Sequence, residues 1–281
     1  MKTEKDALVV VLSDMHSGST KALFPNRFWQ FQHTNHTPTD DQKAMWGHFE
    51  TCAKGIQQAR KGKRLIVVHD GDAIEGVHNG SPQIVTRLKE EQVQIHVDLM
   101  DYFLRTVGFD RGDRLYYTIG TETHTDDNEE CCAADLDAEE TPDGRHVFNA
   151  LEMQVNGRAL WFTHHGPYAG RGANKGNSLR NWLRDIFWES LEASKQPPDM
   201  VVTGHTHDPF YNTYVQNYRG SYHTVHGIIC PSWQLKTRFA YKVAPIAKNK
   251  IGLASFVVHG DGEIRPPVMT LLELEESKVK A

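Results

Sequence analysis

Apolar residues in this chain fall into short unbroken runs set between stretches of helical periodicity. Residues 7–12 (ALVVVL) and 64–69 (RLIVVH) are strand-length, largely β-branched runs without polar alternation, the pattern of strands buried on both faces. Between them Thr39 and Asp40 can cap a helix reaching about Arg60, with Met45, Trp46, Phe49 and Ile56 on its apolar side. Residues 87–107 predict a second long helix, whose core-facing side holds Val93, Leu99, Met100, Phe103 and Leu104. A third strand, 114–119 (RLYYTI), runs into Gly120. Asn156-Gly157 marks a hairpin between 151–155 and 159–163. Residues 177–194 read as a helix, 200–203 as a short strand ending at Gly204, and Asp261-Gly262 as a late hairpin within 254–264. The charged tail, 271–281, reads as a helix or a loose end.

The element order is βαβαβ, then hairpin-rich β with one more helix. It predicts an α/β fold of two facing mixed β-sheets flanked by helices. With 281 residues, 39% of them apolar, and no Pro/Ser-rich linker, the chain reads as a single domain, 1–281.

Charge and cysteine content narrow the function classes. A net charge of −5 argues against a broad basic surface for duplex DNA. It leaves room for a nucleotide in a small cleft where bound cations supply positive charge. Cys52, Cys131, Cys132 and Cys230 form no CxxC pair, which speaks against a cysteine zinc site or a thioredoxin-like motif. Reduced thiols, and an N-terminal apolar run too short for a signal peptide or membrane span, predict a soluble, cytoplasmic protein without membrane contact.

Histidine carries the candidate chemistry. Six of the 16 lie in five polar blocks, each directly after an apolar strand. These are Ser13-Asp14-Met15-His16, Asp70-Gly71-Asp72, Gly120-Thr121-Glu122-Thr123-His124, Thr163-His164-His165-Gly166 and Gly204-His205-Thr206-His207. If the strands continue extended, Asp14 and His16 project to one side, as do His205 and His207. In open α/β sheets, sites form at the carboxyl ends of strands. Mixed His, Asp and Glu donors suit Mn, Fe, Zn or Ni better than an all-oxygen Mg or Ca cage.

In order and spacing these blocks resemble the calcineurin-like metallophosphoesterases, specifically the compact phage and bacterial type, with D-x-H, G-D, G-N-H-[DE], a strand-end H and G-H-x-H. The resemblance spans 14–207. It implies two divalent transition-metal ions, Mn foremost, with one held by Asp14, His16, Asp72 and His207. Asp72 would bridge to the second, held also by His164 and His205, with His165 as the alternative to His164. The third block departs from the family: no Asn precedes His124, so Thr121, Glu122 or water would supply that ligand. His124 would assist the leaving group as the catalytic histidine. Arg171 and Lys175, in the glycine-rich run 170–176, are candidate phosphate contacts. The implied activity is metal-dependent phosphoester hydrolysis by activated water. A phosphodiesterase on nucleotides or nucleic acid is ranked ahead of a phosphomonoesterase or protein phosphatase, and both ahead of a metal-free scaffold. No protein partner is expected.

Overall fold

Six consecutive apolar residues build the first strand, β1 (Ala7–Leu12), which is buried along its whole length. Successive strand residues face opposite ways, so this strand serves two cores. Leu8, Val10 and Leu12 enter one, while Ala7, Val9 and Val11 enter the other. The computed structural model describes residues 4–30, 32, 35–77, 83–125, 127–237 and 249–274. After β1 come β2 (Trp29–Gln30), β3 (Asn35–His36), α1 (Asp40–Ala59), β4 (Arg64–Asp70), α2 (Lys89–Val107) and β5 (Arg114–Thr118). Then follow α3 (Glu122–Thr125), α4 (Asn128–Asp135), β6 (Val147–Phe148), β7 (Leu151–Val155), β8 (Arg158–Phe162) and α5 (Asn177–Glu192). The described chain closes with β9 (Met200–Thr203), β10 (Phe210–Tyr218), β11 (Ser221–Ile229), β12 (Asn249–Val258) and β13 (Val268–Leu274).

Two mixed sheets result, ordered β13-β12-β1-β4-β5-β6 and β10-β11-β9-β8-β7, beside the small β2-β3 pair. Their shared core joins Val9 and Val11 to Ile66 and Val68 of the first sheet and to Phe162, Met200, Val202 and Ile228 of the second. On the outer side of the first sheet, Met45 and Phe49 of α1 and Leu99 and Phe103 of α2 pack against Val10 and Val67. Leu179, Leu183 and Phe187 of α5 cover Val201 and Val225 on the outer side of the second. The molecule is thus a mixed α/β structure with helices on the outside. Among the described residues, no helix is long and apolar enough to cross a membrane.

Local signals act where expected. Thr39 caps α1 with a reciprocal box: its Oγ1 accepts from Gln42 N at 3.2 Å, and Gln42 Oε1 accepts from Thr39 N at 3.1 Å. Asn156 and Gly157 both take positive φ in the turn between β7 and β8. Three expectations need correction. Residues 271–274 are no loose end but part of β13, paired with β12 at positions such as Leu272↔Ile251; 275–281 lie outside the described residues. The late turn at Asp261-Gly262 joins longer strands than expected, β12 and β13. The β10-β11 hairpin, with its Arg219-Gly220 turn, and helix α4 are additions to the elements expected.

Strands β1, β4 and β5 are parallel, so their carboxyl ends lie along one edge of the first sheet. Strands β8 and β9 are likewise parallel in the second. Backbone bonds then stitch the ends together: Asp14 N to Gly71 O (3.0 Å), His16 N to Asp72 O (2.9 Å) and Gly204 N to His164 O (3.0 Å).

Candidate metal centre

The backbone at these strand ends is not extended. Asp14, His16, Asp72, His205 and His207 all have positive φ, between 44° and 66°, and make up five of the nine such non-glycine residues described. The side chains therefore converge through left-handed turns rather than through the two-residue pleat of a continuing strand. Each such residue costs about 1–3 kcal/mol, a strain that persists only where surrounding contacts over-determine it. Here backbone bonding and buried carboxylates provide them.

Glycines let the loops approach this closely. A Cβ on Gly204 would lie 2.1 Å from Ser13 Oγ and 2.7 Å from Asp14 Oδ2. No larger residue fits between the ends of β9 and β1 without displacing the carboxylate.

Three ligand groups form among the described residues: Asp14, His16 and His207; Asp72, His164 and His205; and His16, Glu75 and His124. The first two gather residues expected at the two ion positions, with Asp72 falling in the second group alone. Two ligands each about 2.0–2.2 Å from one ion stand roughly 2.9–3.6 Å apart. His207 Nε2 lies 2.9 Å from Asp14 Oδ1 and 3.3 Å from His16 Nε2, and His164 Nε2 lies 3.1 Å from Asp72 Oδ2. Asp72 Oδ2 is also 3.7 Å from His16 Nε2, so one carboxylate oxygen stands between the two groups.

Both carboxylates are prepared in the same way. Asp14 Oδ2 accepts the His205 amide at 3.0 Å and the Ser13 hydroxyl, leaving Oδ1 toward His207. Asp72 Oδ1 accepts the Thr121 amide at 2.6 Å, leaving Oδ2 toward His164 and His16. One oxygen of each accepts a backbone amide; the other is directed at the imidazoles.

The imidazoles fit a cation. His164 Nδ1 faces the Asp70 carbonyl at 2.7 Å, and a carbonyl only accepts, so the ring proton sits there. A neutral His164 then turns its Nε2 lone pair toward the Asp72 carboxylate, two buried acceptors that need a proton or a cation between them. Buried Nε2 of His164 and Nδ1 of His16 make no aligned hydrogen bond. Charge responds accordingly. Burial opposes ionisation of His16, yet Glu75 and Asp72 raise its pKa to about 9. Burial likewise works against His164, but Asp72 and Asp14 push it well above the ordinary value. Burial would raise Asp14 and Asp72, but facing histidines outweigh it and hold both carboxyls below the usual range. The cluster demands positive charge in its middle, and the donor set fits divalent transition metals.

The remaining expected residues separate. Thr121 is present at the centre, with Oγ1 3.3 Å from both Asp72 Oδ2 and His205 Nδ1. Glu122 is exposed at the start of α3 and belongs to none of the three groups. It stands apart from the clustered histidines and carboxylates. Of the adjacent histidines, His164 is buried against Asp72, whereas His165 is exposed with its ring 4.5 Å from that of His205. The geometry favours His164 as the ligand. His124 joins the site edge-on to His16 at 4.7 Å, with Nδ1 2.9 Å from the Glu75 carbonyl. Burial, then the charge of His16, lowers its pKa. Lys175 pairs with Asp208 at 3.3 Å, next to His207, and Arg171 is exposed beside the short turn Gly172–Asn174.

Two residues escaped the sequence reading. Glu75 places Oε2 3.2 Å from His16 Nδ1 and accepts the Gln234 amide at 2.6 Å. An acidic residue three positions beyond the Asp70-Gly71-Asp72 block was the signal for it. Glu129 reaches Ala73 and Gly120 from α4, and no local pattern announces it. A separate cleft of about 680 Å³, lined in part by Met153, Trp161, Ile186 and Glu189, shares no residue with this centre.

Known proteins add little to this geometry. No family model matches the chain, and no curated protein matches it. Among solved structures it is similar to a protein of unknown function, AQ665 from Aquifex aeolicus. The two are 13% identical, with 76% of this chain and 82% of that one covered, at a TM-score of 0.32.

Proposed function

We propose that the protein is a dinuclear metallophosphoesterase of the calcineurin-like type, and that its two-sheet architecture is that family's sandwich. The observation that carries this reading is the position of Asp72 Oδ2, 3.1 Å from His164 and 3.7 Å from His16, between two groups of ligand atoms. Asp14, His16 and His207 would hold one divalent ion, and Asp72, His164 and His205 the other, with Mn as the leading candidate and Fe, Zn or Ni as alternatives. Such a pair supplies Lewis acidity toward phosphate oxygens and lowers the pKa of a bound water.

The chain's own groups do the rest. Asp14 and Asp72, each fixed through one oxygen by a backbone amide, keep the other oxygen in place without reorganisation. Thr121 Oγ1, beside Asp72 and His205, stands where the family has Asn and completes the second group. His124 keeps one proton at Nδ1 on the Glu75 carbonyl, so a second proton, taken up at Nε2, is the one it would give to a departing oxygen. Exposed His165, and Lys175 beside Asp208, flank the second sheet's strand ends as phosphate contacts. The substrate class is a phosphodiester of a nucleotide or nucleic acid, whose charge the bound cations would offset in a chain of net charge −5.

The test is hydrolysis of a panel of mono-, di- and cyclic phosphoesters by the metal-stripped protein reloaded separately with Mn, Ni, Zn and Mg. Turnover of diesters with Mn or Ni is expected. Preferential turnover of monoesters would reassign the substrate class, and no turnover despite two bound ions would favour a non-catalytic scaffold.

A further inference from the structure

Glu129, on α4, is almost wholly buried, and its two carboxylate oxygens are divided between two strand-end loops. Its Oε1 accepts the Ala73 amide at 3.1 Å, just beyond β4, and its Oε2 accepts the Gly120 amide at 2.6 Å, just beyond β5. The junction is tight. A Cβ on Gly120 would lie 2.2 Å from the Asp72 amide nitrogen, 2.5 Å from Asp72 Oδ1 and 2.9 Å from Glu129 Oε1. The next amide, that of Thr121, donates to Asp72 Oδ1 at 2.6 Å. Two consecutive amides are thus gripped by two carboxylates, Glu129 from behind and Asp72 from the side of the histidines.

We infer that Glu129 is the positioning residue of the shared carboxylate. By pinning Ala73 and Gly120 it fixes the loop that carries Asp72 and the Thr121 amide that occupies Asp72 Oδ1. Oδ2 is thereby left pointing between His16 and His164. The same grip sets Thr121 Oγ1 against His205. This inference rests on the two-ion reading of the site. Partners behind a ligand commonly change metal affinity or activity by about 10–100-fold when replaced.

Mn binding to the full chain tests it, read by calorimetry and by the exchange-coupled spectrum of a dinuclear Mn pair. Glu129→Gln keeps the volume but offers one carbonyl oxygen to two amides, with its NH₂ facing the other. Expected is a folded variant with the melting cooperativity of wild type. Its affinity for one of the two ions should fall about 10–100-fold, with the coupled spectrum giving way to that of isolated Mn. Glu129→Asp, which keeps both oxygens on a shorter stem, should recover part of the coupling. Unchanged affinity and an unchanged coupled spectrum in Glu129→Gln would overturn the inference. So would a Glu129→Gln chain that fails to fold, since Glu129 would then be a scaffold residue. A wild-type chain that takes up fewer than two Mn ions overturns the two-ion reading itself, a failure visible before any substitution is made.

Discussion

The two groups lie on either side of Asp72 Oδ2 but are supported differently behind their histidines. In the first group, His16 turns Nδ1 toward the Glu75 carboxylate, itself held by Gln234. In the second, His164 turns Nδ1 toward a neutral backbone carbonyl, that of Asp70. A carboxylate behind an imidazole raises its basicity as a ligand more than a carbonyl does. The second group also has a neutral hydroxyl beside it, Thr121 Oγ1, 3.3 Å from both Asp72 Oδ2 and His205 Nδ1. Two sites built on one bridging residue are therefore expected to differ in affinity, the first binding its ion more tightly. Support behind the ligands, rather than ligand identity alone, grades the two positions.

The strongest way to break this comparison is to remove what the groups share. Asp72→Asn should release both ions and lower turnover by roughly 10⁴-fold or more, about 5 kcal/mol of barrier, while the chain stays folded. Asp70, whose Oδ1 accepts only the Thr118 hydroxyl, belongs to neither group, and Asp70→Asn should lose less than about tenfold. Equal losses, measured as turnover with metal content per chain, would mean that Asp72 is not the bridge.

His124 lies edge-on to His16 of the first group. His124→Ala should cost about 10²–10⁴-fold on a nucleoside or alkyl ester, whose leaving oxygen needs a proton. The loss should be clearly smaller on a p-nitrophenyl ester, whose anion departs unaided. Parallel losses on the two substrates would assign His124 to metal binding or folding instead.

A smaller effect separates the groups directly. Glu75→Gln should weaken the first ion by about 10–100-fold and leave the second near its wild-type affinity. Calorimetric titration with Mn reads both steps, and a loss confined to the second step would reverse the assignment.

Much of the scaffold was legible because its signals are local. Residues 7–12 and 64–69 carry strand burial in their composition, Thr39 and Gln42 cap a helix within one turn, and Asn156-Gly157 supplies two residues that tolerate positive φ. The β10-β11 hairpin escaped because Arg219-Gly220 makes its positive-φ turn without the usual Asn or Asp, after a strand rich in Asn, Gln and Tyr. At the site, residue type and position after a strand marked the five blocks, and the family resemblance singled out Asp14, His16, Asp72, His164, His205 and His207 within them. Asp14 and His16 do not lie on the extended continuation of β1 that their two-residue spacing predicts. Their convergence comes from left-handed φ, which depends on bonds to Gly71 and Asp72 far along the chain. Glu129 was illegible for a related reason, since its partner Ala73 lies 56 residues away and α4 has little amphipathic pattern.

The central claim is that Asp72 joins two ions of unequal affinity, both needed for phosphoester hydrolysis. Graded chelation of the Mn-loaded protein, with metal content and diester turnover followed together, tests it most directly. The account predicts two ions per chain, loss of one at a lower chelator concentration than the other, turnover falling with that first loss, and recovery when Mn is restored. Full turnover by a chain stripped of metal would contradict it.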